Sequence, residues 1–189
     1  MTRRNAKLLV ATLALALLSI PTFAVTFELD PQQTSLALTF GATLHTVNGS
    51  IKVREGRIEV ADSGEASGRI VIDLASAQTG VKRRDRKMHE KILESRRFPL
   101  AVFTIERMDG TVNRIGSSDI QLHGQLEMHG VSREVALPAQ IKSDGHRVSG
   151  TGVLVIPYLQ WGLADPSFFL LRVEKQVKVT VRTSGRLVE

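Results

Sequence analysis

Leu36-Ala37-Leu38-Thr39-Phe40-Gly41-Ala42-Thr43-Leu44 decides the fold class. Every even position is apolar, and the odd positions are small or polar. A period of two puts alternate side chains on opposite faces of a strand, so this is a strand with one buried face. The pattern recurs outward along the chain. Ala66, Gly68, Ile70 and Ile72 alternate with Ser67, Arg69 and Asp73, and Ala101, Phe103 and Ile105 continue on odd positions. Ile120, Leu122, Leu126 and Met128 alternate with Gln121, His123, Gln125 and Glu127. Val135, Leu137, Ala139 and Ile141 form another run, and Val177, Val179 and Val181 the last.

Turn-forming pairs separate these runs: Asn48-Gly49, Glu55-Gly56, Asp62-Ser63-Gly64, Asp109-Gly110, His129-Gly130 and Asp144-Gly145. Short strands at such regular spacing predict an antiparallel all-β sandwich or barrel. Pro138 inside one run predicts an edge or bulge, and Gly150 with Gly152 predicts a sharp bend or bulge. One segment differs. Lys82 to Arg97 (KRRDRKMHEKILESRR) has helix formers without alternation. Met88 and Ile92 stand four apart, so a short helix can lay an apolar stripe on the strands. Phe98-Pro99 closes it.

The amino-terminal residues read as an address. Arg3, Arg4 and Lys7 precede thirteen uncharged residues, Leu8 to Ile20, then Pro21 and the small residues Thr22 and Ala24. That is the layout of a secretory signal peptide over residues 1–24, cut after Ala24; an uncleaved anchor is the alternative, although the apolar run is short for a span. The expected mature chain is a single domain over residues 25–189, exported to a periplasm or the outside.

Charge is decided by this division. The whole chain of 189 residues carries a formal +6. Three bases and no acid leave with residues 1–24, so 22 bases face 19 acids and the net falls to +3. Lys82 to Arg97 alone holds eight bases and three acids. The rest of the mature chain is therefore slightly acidic. The basic segment is either a solvated helix face, with pairs such as Asp85 with Arg84 and Glu90 with Arg86 or Lys87, or an electropositive patch for anionic headgroups or phosphate. Export and the sparse aromatics argue against nucleic acid.

Catalytic signatures are missing. With no cysteine there is no disulfide, thiolate metal site or cysteine nucleophile. No G-x-S-x-G elbow or P-loop occurs, and His89-Glu90 lacks the second histidine of a zincin because Leu93 stands there. His123 and His129, read as one strand, lie about 20 Å apart, too far to share an ion. No catalytic or metal-ligating residue and no cofactor is nominated.

Several stretches together resemble one family, the secreted YceI-like domain, a polyisoprenoid- or lipid-binding β-barrel. Thr39-Phe40-Gly41-Ala42-Thr43-Leu44-His45-Thr46-Val47-Asn48-Gly49 resembles its opening strand. Arg84-Asp85-Arg86-Lys87-Met88-His89 with Leu93 and Phe98-Pro99 resembles its helix and the strand after it. Gly124-Gln125-Leu126-Glu127-Met128-His129-Gly130-Val131 resembles its hairpin. The resemblance implies an antiparallel, lipocalin-like barrel of about eight strands with one short helix in a connection. It implies a long apolar lumen for an isoprenoid lipid or quinone, and no catalysis. The region of Trp161-Gly162 and 165–169 departs from some members.

The expected function is an exported binding protein that holds an apolar lipid for transport, storage or stress protection. Lumen candidates in the apolar phase are Leu36, Leu38, Phe40, Ile70, Ile72, Phe103, Leu126, Met128, Leu137 and Val179, which line either an open lumen or a filled core. Trp161, Phe168 and Phe169, in a dense apolar region, form either a core-closing loop or a pocket wall. Arg83, Arg84, Lys87 and His89 are candidates for contact with a headgroup or, transiently, a membrane surface. A homodimer is compatible with the family. The alternatives are an exported enzyme of unknown reaction using the same pocket, or an interaction module docking through the basic helix.

Overall fold

The computed structural model describes residues 23–43, 45–61, 63–168 and 172–188. The expected signal peptide therefore lies outside the described residues except for Phe23 and Ala24. Among the described residues nine strands form one antiparallel sheet: β1 (Phe23–Leu29), β2 (Ser35–Ala42), β3 (His45–Ala61), β4 (Ala66–Gln78), β5 (Leu100–Asp109), β6 (Ile115–Met128), β7 (Val131–Asp144), β8 (Arg147–Ile156) and β9 (Val177–Val188). From β2 to β9 each strand pairs with the next along the chain, and β9 pairs back to β2. The sheet thus closes into an eight-stranded barrel, which removes the unpaired edges an open sheet would carry.

β1 is the ninth strand and shares a place in the ring with β2. Both pair with β3 on one side and β9 on the other. β1 meets the far half of β3 (Phe27 opposite Ile58), and β2 the near half (Leu36 opposite Ile51). The two are one interrupted strand laid end to end. Between them Asp30 caps a turn: its carboxylate accepts hydrogen bonds from the Gln32 N–H at 2.8 Å and the Gln33 amide at 2.7 Å. This insertion flips the phase, so Val25, Phe27 and Leu29 face inward on odd positions and Leu36, Leu38 and Phe40 on even ones.

Bulges flip the phase elsewhere. β3 gains a residue between Val53 and Glu55, so inward positions change from Val47, Ile51 and Val53 to Ile58 and Val60. β5 gains one between Ile105 and Arg107, which turns Met108 inward after Phe103. A larger irregularity in β4, between Asp73 and Gln78, is satisfied locally: Ser76 Oγ accepts from the Lys52 N–H and donates to the Asp73 carbonyl.

Two expected turns are strand interior. Asn48-Gly49 and Glu55-Gly56 both lie within the seventeen residues of β3. Their glycines mark close approach, not reversal. A Cβ on Gly49 would stand 2.7 Å from the Gln78 carbonyl oxygen, and one on Gly56 3.0 Å from Leu29 Cδ1. Likewise Gly150 and Gly152 run through β8 in unbroken register with both neighbours. A Cβ on Gly152 would lie 2.8 Å from the Pro138 oxygen. Pro138 itself stands where β7 parts from β8, whose ladder begins at Ala139 opposite Gly152. A missing N–H is harmless at such an edge.

The segment from Lys82 is helical for less of its length than expected. Helix α1 (Lys82–Lys87) continues into one π-helical turn (Met88–Ile92), in which the Leu93 N–H reaches the Met88 carbonyl at 2.8 Å. It bridges β4 and β5 at one end of the barrel. A second connection, described over residues 157–168 and 172–176, lies at the same end between β8 and β9. Its first turn is a 3₁₀ helix, Tyr158–Trp161. Gly162 ends that turn at φ 75°, a left-handed conformation that glycine adopts without strain.

Candidate functional site

The inward side chains do not fill the barrel. They surround a cavity of about 720 Å³ lined by all nine strands, within the range of small-molecule sites. Of the expected lumen residues, Leu36, Leu38, Phe40, Ile70, Ile72, Phe103, Leu126, Met128, Leu137 and Val179 line it. The wall is continued by residues the alternation did not single out. Met88, Ile92 and Leu93 come from the helical connection, the first two as their four-residue spacing allows. Tyr158, Leu163, Pro166 and Val173 come from the second connection. Tyr158 had a signal in the sequence: it continues the even phase of Val148, Gly150, Gly152, Leu154 and Ile156 past Pro157.

Three candidates lie elsewhere. Trp161 is only 2% exposed but does not line the cavity; it belongs to the packed core, where its indole N–H donates to the Leu126 carbonyl at 2.9 Å. Beside it, Arg133 Nε donates to the Gln160 carbonyl at 2.6 Å. These bonds fix the loop where β7 and β8 diverge. Phe168 is 76% exposed, so it is not a lumen wall. Phe169 lies outside the described residues.

The helical end of the cavity is a polar mouth lined by His45, Thr79, Arg84 and Lys87, while Arg114 lines the opposite end. Arg84 is held: its Nε donates to Thr79 Oγ1 at 2.6 Å and its Nη2 to the Thr79 carbonyl at 3.0 Å. Asp85 does not pair with Arg84; its carboxylate accepts from the Thr79 N–H and hydroxyl. Lys87 is exposed at the rim, and Arg83 is exposed but does not line the cavity.

His89 is turned to structure. One ring nitrogen, Nε2, lies 2.9 Å from the Ala77 carbonyl, and Nδ1 lies 2.9 Å from Ser95 Oγ. A carbonyl only accepts, so Nε2 carries a proton and donates to it, while Nδ1 and the Ser95 hydroxyl share the second bond. The helix residues Asp85 and His89 thus staple the connection to the end of β4. No ring nitrogen of His89 remains for a headgroup.

The second connection is stapled as well. Asp165 accepts from the Ser167 N–H at 2.9 Å and lies 3.7 Å from Lys175 Nζ; the Ser167 bonds and then Lys175 hold its carboxyl below the ordinary carboxylate value. Glu174 accepts from the Gly41 N–H at 2.8 Å, and its own N–H donates to the Gly41 carbonyl.

Two polar side-chain atoms among the described residues are buried without a hydrogen-bond partner: Tyr158 Oη and His129 Nε2. Tyr158 lines the cavity although its hydroxyl is buried; His129 does not line it, and Glu94 Oε1 stands 3.6 Å from its Nε2. His129 is not on the strand of His123, as the alternation implied. β6 ends at Met128, and His129 takes φ 54° in the hairpin turn, its ring tilted against Phe98 with centroids 4.3 Å apart. His123 instead meets Asp109 at 2.9 Å. Among the described residues, no three metal-ligating side chains converge and no helix is long and apolar enough to cross a membrane.

The family model for the YceI-like domain matches residues 27–184. The chain belongs to the YceI-like family. Solved structures agree on the fold. A polyisoprenoid binding domain from Saccharophagus degradans, implicated in plant cell wall breakdown, is 18% identical, with a TM-score of 0.67 over 87% of this chain and 99% of that one. Burkholderia cenocepacia BcnA is 14% identical, with a TM-score of 0.67 over 82% and 98%. A Campylobacter jejuni YceI protein is 13% identical, with a TM-score of 0.54 over 98% and 94%. No curated protein matches the chain. Arg84, Asp85 and His89, which carry the resemblance to the family's helix, tether the connection at the helical end of the cavity.

Proposed function

We propose that this YceI-like protein is an exported, non-catalytic carrier that holds an isoprenoid or similar apolar lipid in its barrel lumen. The observation that carries the reading is the lumen: a continuous apolar chamber of about 720 Å³ inside a closed sheet. A slender apolar chain gains about 0.8 kcal/mol for each CH₂-sized unit it moves from water into such a space. The Saccharophagus degradans relative, described as polyisoprenoid binding, supports the ligand class. Among the described residues the lining contains no aspartate or glutamate, so it offers no paired carboxylates for acid–base chemistry. The expected signal peptide supports a periplasmic or secreted location. The exposed bases Lys82, Arg83, Arg86 and Lys87 suit transient contact with an anionic membrane during loading.

Native mass spectrometry and solvent extraction of the purified protein test this reading. The expected result is a co-purifying isoprenoid, or uptake of a prenylated quinone by lipid-free protein. Lipid-free protein that also takes up no prenyl compound overturns it.

A further inference from the structure

We propose that the helical end of the barrel docks on an anionic lipid bilayer, with the mouth facing the membrane and Phe168 and Val81 entering its interface, so that cargo passes between bilayer and lumen during contact and not through water. The inference rests on the carrier reading and deepens it by naming the docking surface, its apolar anchors and the mode of transfer.

The two connections that carry these residues lie at one end of the barrel. His45 opens β3 opposite Ala42, the last residue of β2, and Ala42 also pairs with Val173 in the second connection. Farther along β3, Ser50 pairs with Gln78 at the end of β4, just before Val81 and α1. The charge at this end is one-sided. Lys82, Arg83, Arg86, Lys87, Lys91 and Arg96 are exposed, against Glu90 as the segment's exposed acid. Its other acids are engaged by the protein: Asp85 accepts from Thr79, and Glu94 lies 3.9 Å from Arg97. The second connection is balanced, with Arg172 and Lys175 against Asp165 and Glu174 among its described residues. The loops at the opposite end hold Glu65 and Arg114 among the described residues, which also balance. An anionic plane therefore attracts the helical end.

Charge by itself suits any anionic partner, and the apolar tips choose a bilayer. Phe168 is 76% exposed and Val81 48%, both at the basic end. A phenylalanine left this open to water gains when its ring enters the boundary between headgroups and acyl chains, while the bases stay among the headgroups. A soluble anion leaves both side chains in water. Docked this way, the mouth lined by His45, Thr79, Arg84 and Lys87 opens onto the bilayer. An isoprenoid chain then moves from one apolar medium to another without exposing its length to water.

The test mixes the purified protein with sedimentable vesicles of phosphatidylcholine, alone or with phosphatidylglycerol. Wild type is expected to bind the anionic vesicles only, and less at high salt. The double variant Lys82→Gln with Arg83→Gln is expected to bind them about thirtyfold more weakly, and Phe168→Ser about tenfold. Phe168→Trp places a reporter at the anchor, which brominated phosphatidylcholine in anionic vesicles is expected to quench; the native Trp161, 2% exposed, serves as the unquenched reference. Transfer of a dansyl-labelled prenyl alcohol from the loaded protein is expected to quicken in proportion to the concentration of anionic vesicles. Equal binding to both vesicles, binding to neither (as a protein partner would give), no quenching at residue 168, or a transfer rate independent of vesicle concentration overturns the proposal. Uptake of an apolar dye by the vesicle-free protein reads the carrier separately: its persistence leaves that reading intact, and its absence in wild type overturns both.

Discussion

Val181→Trp places an obstruction inside the lumen. The inward series of β9 reads Val177, Val179, Val181, Thr183 and Leu187, so Val181 sits well inside both ends. It pairs with Leu36 on β2 and with Gly152 on β8. Gly152 presents no side chain, so nothing from that neighbour crowds an indole on the inward face. From Val177 to Val181 the strand advances about 13 Å, so a tail entering at the helical end is stopped about that far along the wall. Everything beyond the indole loses its burial. Four CH₂-sized units at about 0.8 kcal/mol each come to about 3 kcal/mol, or just over two factors of ten in affinity. The fold tolerates the change because the new ring enters existing space, whereas overpacking a filled core costs about 1–3 kcal/mol. The assay is displacement of an apolar dye by prenyl alcohols of increasing length, with circular dichroism to confirm the sheet. Wild type is expected to bind longer chains progressively tighter, and Val181→Trp to reach a plateau early. A folded Val181→Trp protein with the wild-type length dependence would refute the lumen as the binding site.

Three further outcomes are expected. His89→Ala strips partners from the buried Ser95 and from the Ala77 carbonyl, so urea denaturation should show a loss of about 1–3 kcal/mol, with faster amide exchange over residues 82–92. Lys87→Gln should weaken a prenyl phosphate about two- to fivefold at low salt, with the difference fading at high salt and a neutral prenyl alcohol unaffected. Tyr158 holds its proton above the ordinary tyrosine value, mainly through burial, so its contribution to stability is whole below about pH 10 and is lost as pH rises through the folded value. Urea midpoints should therefore fall more steeply in wild type than in Tyr158→Phe above about pH 10, and parallel curves would contradict the burial of the phenol.

The inward phase of β2, β6, β7 and β9 was legible because those strands alternate without interruption. Leu36, Leu38, Leu126, Leu137 and Val179 all face the cavity as their spacing requires. β3 was not legible as one strand. Its Asn48-Gly49 and Glu55-Gly56 pairs look like turns locally, and only the neighbouring strands show that those glycines admit Gln78 and Leu29. The aromatic-rich connection was harder still. Trp161 and Phe168 are equally apolar in sequence, yet one is core and the other is exposed.

By itself the sequence determined the all-β class, the family and the inward phase of several strands, because a period of two is a local property of each strand. It also placed the charge of Lys82 to Arg97 in one connection. Only the tertiary structure decided that the interior is open, since a void is a relation among strands distant in the chain. Only it separated the bases at the mouth, Arg84 and Lys87, from the exposed Arg83, and gave His89 its tethering bonds. It also left the Tyr158 hydroxyl buried without a partner, because hydrogen-bond satisfaction depends on what the fold brings within about 3 Å.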